Sequence, residues 1–240
     1  PPEILSFDPP TAGPRGSFVS IFGRNFGSSV GLVRFSHPTY GTVLGETNLP
    51  SGCSEAFWRD NTITVRVPRE LPGGAPVPSD WNIAVERPDG AVSNARAWTV
   101  DASAARPGLC ALTPDNGPAG TRVALSGERF GSSPDAVIFT QNQNAPTIPP
   151  VDWGDERVLA TVPPRAASGP AYVRVGGTAS NARSFLVQDC RERGGACGQG
   201  NRCCGTGVCV PESAECLGGA RGGGYAWRFS TGVIPVAPRV

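Results

Sequence analysis

Cysteine is the residue type in this chain with the most chemistry to offer. Six of the eight cysteines crowd near the C-terminal end: Cys190, Cys197, Cys203, Cys204, Cys209 and Cys216, spaced C-x6-C-x5-CC-x4-C-x6-C with Gly and Arg between them. Thiols at this density either cross-link or hold a soft metal. A metal cluster would normally show two C-x2-C knuckles, and neither is present. The segment is too poor in apolar residues to bury a core, so disulfides are the expected chemistry, as in small secreted modules. Six cysteines allow fifteen pairings, and spacing alone selects none. Cys53 and Cys110 stand apart. If the cluster closes on itself, they either bridge to each other or stay free. A bridge would fix the hinge between two parts of the chain, provided their Cα atoms come within about 7 Å.

The other chemistry-bearing residues argue against catalysis. There is one histidine, His37, so any Ser-His-Asp or Cys-His site would have to use it. A lone histidine in a loop more often faces solvent. No G-x-S-x-G elbow, phosphate-binding P-loop or calcium-binding Asp/Asn ladder occurs, and all 21 basic residues are Arg. The missing Lys fits either codon bias or a surface that resists proteases. The acids suffice in number for a glycosidase pair. However, Trp58-x-Asp60 and Trp153-x-Asp155 recur at equivalent places, and duplication points to a role in the fold. No enzyme activity, cofactor or metal is expected. The net charge of +1 gives no pull toward nucleic acid or an anionic membrane. No apolar run reaches the roughly 18 residues needed to span a bilayer. Met is absent, which suggests a processed or excised segment.

The elements that would position these residues are written twice. Gly13-Pro14-Arg15-Gly16-Ser17 through Gly23-Arg24-Asn25-Phe26-Gly27 matches Gly117-Pro118-Ala119-Gly120-Thr121 through Gly127-Glu128-Arg129-Phe130-Gly131. The match returns at Trp58–Pro68 against Trp153–Pro163, and at Ser93-Asn94-Ala95-Arg96 against Ser180-Asn181-Ala182-Arg183. Two copies of one folding unit follow. Gly 32 and Pro 25, with short Val/Ile/Phe/Thr-rich runs between breakers, give an all-β signature. Alternation at period 2 points Ile4, Phe7, Val19, Ile21, Val33, Phe35, Ile63, Val65, Val67, Ile83, Val85, Trp98 and Val100 inward in the first copy. Leu112, Val123, Leu125, Val137, Phe139, Val158, Val173, Val175, Phe185 and Val187 do the same in the second. The expected units are residues 1–100, a linker at 101–108, residues 109–188, a cysteine-rich module at 189–217, and a Gly-rich hinge with a terminal strand at 218–240. His37 to Phe57 is an insertion relative to the second copy and reads as a long surface loop.

The order Gly-Pro-x-Gly-(Ser/Thr), Gly-x-x-Phe-Gly, Val-x-Phe, Trp-x-Asp, Val-Pro and Ser-Asn resembles the IPT/TIG domain, an immunoglobulin-like β-sandwich, over about 180 of the 240 residues. The resemblance implies two tandem sandwiches lying end to end. It also implies a structural or binding role of the kind found in bacterial surface proteins, receptor ectodomains, some transcription factors and some polysaccharide enzymes. Fold alone does not choose among these. The cysteine cluster, with adjacent Cys203 and Cys204, resembles a knottin. That resemblance implies Cys190–Cys204, Cys197–Cys209 and Cys203–Cys216. Some knottins inhibit proteases, and Arg191 or Arg193 could enter a trypsin-like pocket. The bland reading is a protease-resistant staple.

Beyond the hinge, Tyr225, Trp227 and Phe229 alternate, so an extended chain shows three aromatics on one face. Such a strand can pair back onto its own molecule, reflect where the chain is cut, or add to a neighbour's sheet. The expectation drawn is an extracellular, cell-surface structural protein. In it the C-terminal strand joins copies head to tail in a filament or stalk. The alternative is an adhesin or a carbohydrate-binding accessory module of a larger secreted protein. Exposure of Trp81, Trp58 or Tyr40 on one face would favour the carbohydrate reading.

Overall fold

The computed structural model describes residues 1–54, 56–141, 152–188, 201–203 and 209–211. Among them the regular structure is β-strand with two short 3-10 turns. In the first unit, β1 (Glu3–Asp8), β3 (Phe18–Arg24), β7 (Thr62–Arg66) and β6 (Trp58–Arg59) form one sheet in the order β1-β3-β7-β6. A second sheet runs β2-β9-β8-β4-β5, from β2 (Ala12–Pro14), β4 (Leu32–His37), β5 (Gly41–Leu44), β8 (Ser79–Glu86) and β9 (Arg96–Asp101).

The second unit repeats this plan. β10 (Gly108–Thr113), β12 (Arg122–Glu128), β15 (Arg157–Thr161) and β14 (Asp152–Trp153) pair in the order β10-β12-β15-β14. The facing sheet is β11-β18-β16-β13, from β11 (Asn116–Gly117), β13 (Ala136–Gln141), β16 (Ala166–Val175) and β18 (Arg183–Val187), with β17 (Thr178–Ala179) on β16. In both units the short second strand pairs parallel with the last one, β2 with β9 and β11 with β18. The fold is therefore two immunoglobulin-like sandwiches. A hairpin of β19 (Asn201–Cys203) and β20 (Cys209–Pro211) sets Cys203 opposite Cys209 in register.

The duplicated motifs build the same clamps twice. Phe26 and Phe130 are fully buried in their respective cores. Each is held by a backbone N–H donated to an aspartate carbonyl, Asp60 at 2.9 Å and Asp155 at 3.0 Å. The same aspartates accept the Gly27 and Gly131 N–H on their carboxylates, at 2.9 and 2.8 Å. The indole N–H of Trp58 and of Trp153 donates to the Phe26 and Phe130 carbonyls. Gly23 and Gly127 let the first strand and that Phe ring approach. A Cβ at Gly23 would collide with the Glu3 carbonyl and Phe26, and one at Gly127 with the Gly108 carbonyl and Phe130.

The Ser-Asn pair closes each sandwich. Asn94 brackets Ile4, accepting its N–H at 2.7 Å and donating to its carbonyl at 3.1 Å. Asn181 brackets Leu109 the same way, at 2.8 and 2.6 Å. Ser93 and Ser180 accept the N–H of Val85 and Val173.

Two expectations are corrected by the geometry. The stretch from His37 to Phe57 is not a solvated loop. It contributes β5, a 3-10 turn at Ser51–Cys53, and buried Cys53, Ala56 and Phe57. The extra chain has work to do because it clothes the joint with the second unit. His37 ends β4, and its ring sits 4.6 Å from that of Tyr40 and 5.3 Å from that of Trp81. Its Nδ1 accepts the Thr39 N–H at 3.0 Å.

The units also do not meet merely tip to tip. All five residues of β7 are buried. Ile63 and Val65 face their own core, while Thr62, Thr64 and Arg66, which alternation assigns to solvent, are covered instead.

Candidate functional site

That covered face and the cleft beside it make up the candidate site. Small side chains permit the close approach. Gly108 lies under the Phe18 ring, and a Cβ there would come within 2.6 Å of it. Phe18, Ala56, Ala111 and the Cys53–Cys110 disulfide form a small apolar cluster of their own. The bridged cysteines have Cα atoms 5.5 Å apart across a sequence separation of 57. Both are fully buried.

Around this cluster the contacts are polar and buried. Asn181, having clamped Leu109, donates a second Nδ2 bond to Ser20 Oγ at 2.8 Å. Ser20 Oγ in turn donates to the Ala182 carbonyl at 2.6 Å. The Ala182 N–H donates to Asp8 Oδ2. Burial pushes the Asp8 carboxyl above its ordinary value, against the lowering effects of that N–H and of Arg106. Arg66 grips Glu128 with both terminal nitrogens, at 2.5 and 2.8 Å. Its Cζ lies 4.8 Å from the Phe18 ring centroid. Among the described residues Arg66 Nε has no hydrogen-bond partner, although Glu46 Oε2 lies 3.5 Å away, close enough for charge contact only. Arg129 adds a bond to the Gly16 carbonyl at 3.2 Å.

Arg183 is the member with the most unusual environment. It is 6% exposed and donates to Thr64 Oγ1 at 3.0 Å and to the Ala56 carbonyl at 2.8 Å. Burial above all, helped by nearby Arg59 and opposed by Asp115, lowers its pKa to about 10. It remains charged at neutral pH. Arg183 lines a cleft of about 530 Å3 between the units. One wall is the β6–β7 hairpin of the first unit, with Arg59 and Asn61. The other comes from β11, β16 and β18, with Asp115, Asn116, Ser168 and Ser184.

Residues 109–187 match the IPT/TIG domain profile. No curated protein matches the chain. The structure resembles the surface glycan-binding protein PbSGBP-B from Prevotella bryantii at 14% identity and a TM-score of 0.30, covering 87% of this chain and 47% of that one. It resembles an SGBP-B from a xyloglucan utilization locus in Bacteroides uniformis at 17% identity and 0.29, covering 78% and 49%. It also resembles the gamma-CGTase of an alkalophilic Bacillus clarkii at 15% and 0.30, covering 72% and 23%. The chain spans less than half the length of each of these structures. TM-scores at that level carry no inference about function.

The structure brings Cys53 and Cys110 together within the joint between the two units. Cys190, Cys197, Cys204, Cys216, Tyr225, Trp227 and Phe229 lie outside the described residues, as do the side chains of Cys203 and Cys209. Trp81 and Trp58 are buried, at 1% and 4% exposure, and Tyr40 packs half-buried against the first core. They therefore offer no aromatic platform on an open face. Sequence reasoning did not single out Arg59 or Arg183 as cleft residues. The only signal was the repeated Ser-Asn-Ala-Arg, and its first copy ends in an exposed Arg96 that donates to the Leu5 carbonyl.

Proposed function

We propose that this chain is a non-catalytic extracellular binding arm. Two immunoglobulin-like sandwiches are fused into one body and display the polar cleft of their joint to a saccharide at a cell surface. On this reading residues 1–100 are a second copy of the IPT/TIG domain, since they repeat its strand order and its clamps. The observation that carries the proposal is that both units build the cleft walls and that buried bonds lock those walls in place. A preformed polar cleft loses little ordering entropy when a ligand enters. Amide, hydroxyl and guanidinium groups suit sugar hydroxyls, so a saccharide here is held by hydrogen bonds rather than by stacking on Trp81 or Trp58. The described lining offers one carboxylate, Asp115, where glycoside cleavage commonly uses two. The disulfide supports an oxidising compartment, and no helix is long and apolar enough to cross a membrane among the described residues. A glycan array with product analysis tests the reading. Binding without cleavage is expected; a blank array, or bond cleavage, refutes it.

A second reading, a filament joined by strand addition, rests on the sequence alone. Tyr225, Trp227 and Phe229 alternate, and a segment of that pattern would add as a strand to the sheet of a neighbouring copy. Light scattering on the intact chain and on one ending at Gly224 decides this, and equal monomeric masses remove it. The cysteine-rich module serves in either case as a knottin-like staple, which non-reducing mass mapping of residues 189–217 tests.

A further inference from the structure

Arg183 and Arg66 are both buried guanidinium groups at the joint, yet they are compensated differently. Arg66 faces a carboxylate in a two-toothed grip. Arg183 bonds only neutral oxygens, and no carboxylate lies within ion-pair distance of it among the described residues. A guanidinium has five N–H donors, and these two bonds use two of them. A second guanidinium, Arg59, lines the same cleft, is exposed, and forms no ion pair among the described residues. Two like charges share one concave, partly dehydrated space, and Asp115 is the one carboxylate among its described lining residues. The motif does not demand this, because Arg96 holds the equivalent place in the first unit and is exposed.

We propose that the cleft recognises the carboxylate of an acidic saccharide, held between Arg59 and Arg183. This rests on the binding-arm reading above and names the ligand class for the same cleft. A carboxylate matches the planar fork of a guanidinium and supplies a counter-charge in a site where water screens it poorly. Asn61, Asn116, Ser168 and Ser184 surround the pair with donors and acceptors for ring hydroxyls. A volume of about 530 Å3 falls in the usual range for small-ligand sites. Leu186 is the one strongly exposed large apolar side chain among the described lining residues, so the cleft offers little to the side chains of a peptide.

Titration calorimetry on the intact oxidised chain tests this with four probes: a trimer of galacturonic acid, its methyl ester, a sulfated oligosaccharide of similar size, and an acidic peptide. The free acid is expected to bind at least about tenfold tighter than the uncharged ester, and to weaken as salt is raised. Arg59→Gln should cost the acid about tenfold with no change in melting temperature, since the Arg59 side chain is exposed and makes no described bond. Arg183→Lys, which keeps the charge but loses the fork, should also weaken the acid selectively. Equal binding of acid and ester overturns the carboxylate assignment while leaving the binding-arm reading intact. Preference for the sulfated probe or the peptide overturns the assignment as well, as does an Arg59→Gln variant that binds unchanged. Silence of all four probes together with a blank glycan array sinks both.

Discussion

Replacing Cys53 and Cys110 together with alanine asks how much the joint depends on its covalent lock. The bridge closes a loop across a sequence separation of 57. In the chain-entropy description, a cross-link of that span removes roughly 14 cal/mol/K from the unfolded ensemble, about 4 kcal/mol at 25 °C. Both sulfurs are fully buried beside Phe18, Ala56 and Ala111. Their removal therefore leaves a small void that costs on the order of 1 kcal/mol more. The expected loss is about 4–5 kcal/mol, a large share of the roughly 5–15 kcal/mol that holds a typical domain. The substitution is preferable to a reducing agent, which would also attack the six cysteines near the C-terminus. Guanidinium titration read by tryptophan fluorescence suits the measurement. Trp58, Trp81 and Trp98 report on the first core, and Trp153 packs against the second. A loss worth about 4–5 kcal/mol, with a slope that rises because the freed loop lets the unfolded chain expand, is the expected result. A loss below about 1 kcal/mol would show that the loop is not freed on unfolding, and the entropic reasoning would fail.

Three further outcomes are expected. Glu128→Ala strands the buried Arg66 guanidinium and should cost roughly 3–5 kcal/mol in the same titration. Asn181→Ala should cost about 1 kcal/mol more than Asn94→Ala, because both remove a two-bond clamp but only Asn181 also holds Ser20. Asp8 has a raised pKa in the folded chain, so the fold holds this proton more tightly than the unfolded chain does. Its contribution is full below the ordinary aspartate value and is lost as pH rises through the raised one. Stability profiles against pH for the native chain and Asp8→Asn should therefore diverge in that window, with the variant flatter.

Much of the fold was legible because its local rules are repeated. Gly-x-x-Phe-Gly and Trp-x-Asp sit at matching places in the two copies, and each pair makes one clamp. Period-2 alternation located Val19, Ile21, Ile63 and Val65 in a core, where they are fully buried. The joint was not legible, for a physical reason. Alternation records which side of its own sheet a residue takes, and says nothing about what another unit places against the far side. Ser20, Thr64 and Arg66 thus read as solvent-facing, although a second sandwich covers them. Arg96 and Arg183 occupy the same motif position, and only the neighbour distinguishes them. The Cys53–Cys110 bridge was within reach of simple arithmetic, being the pair left over once the other six are set aside. Its place within an apolar pocket beside Phe18 was not.

The insertion that carries Cys53 gives the pair of sandwiches a direction. The upstream copy brings a thiol and an extra flap of chain; the downstream copy offers Cys110 near the start of its first strand. Between Phe139 and Trp153 the downstream copy has no cysteine at all. It can therefore receive this junction but cannot hand it on, and a third sandwich could not be appended by the same means. The two copies follow one strand plan, yet exchanging their order would abolish the junction.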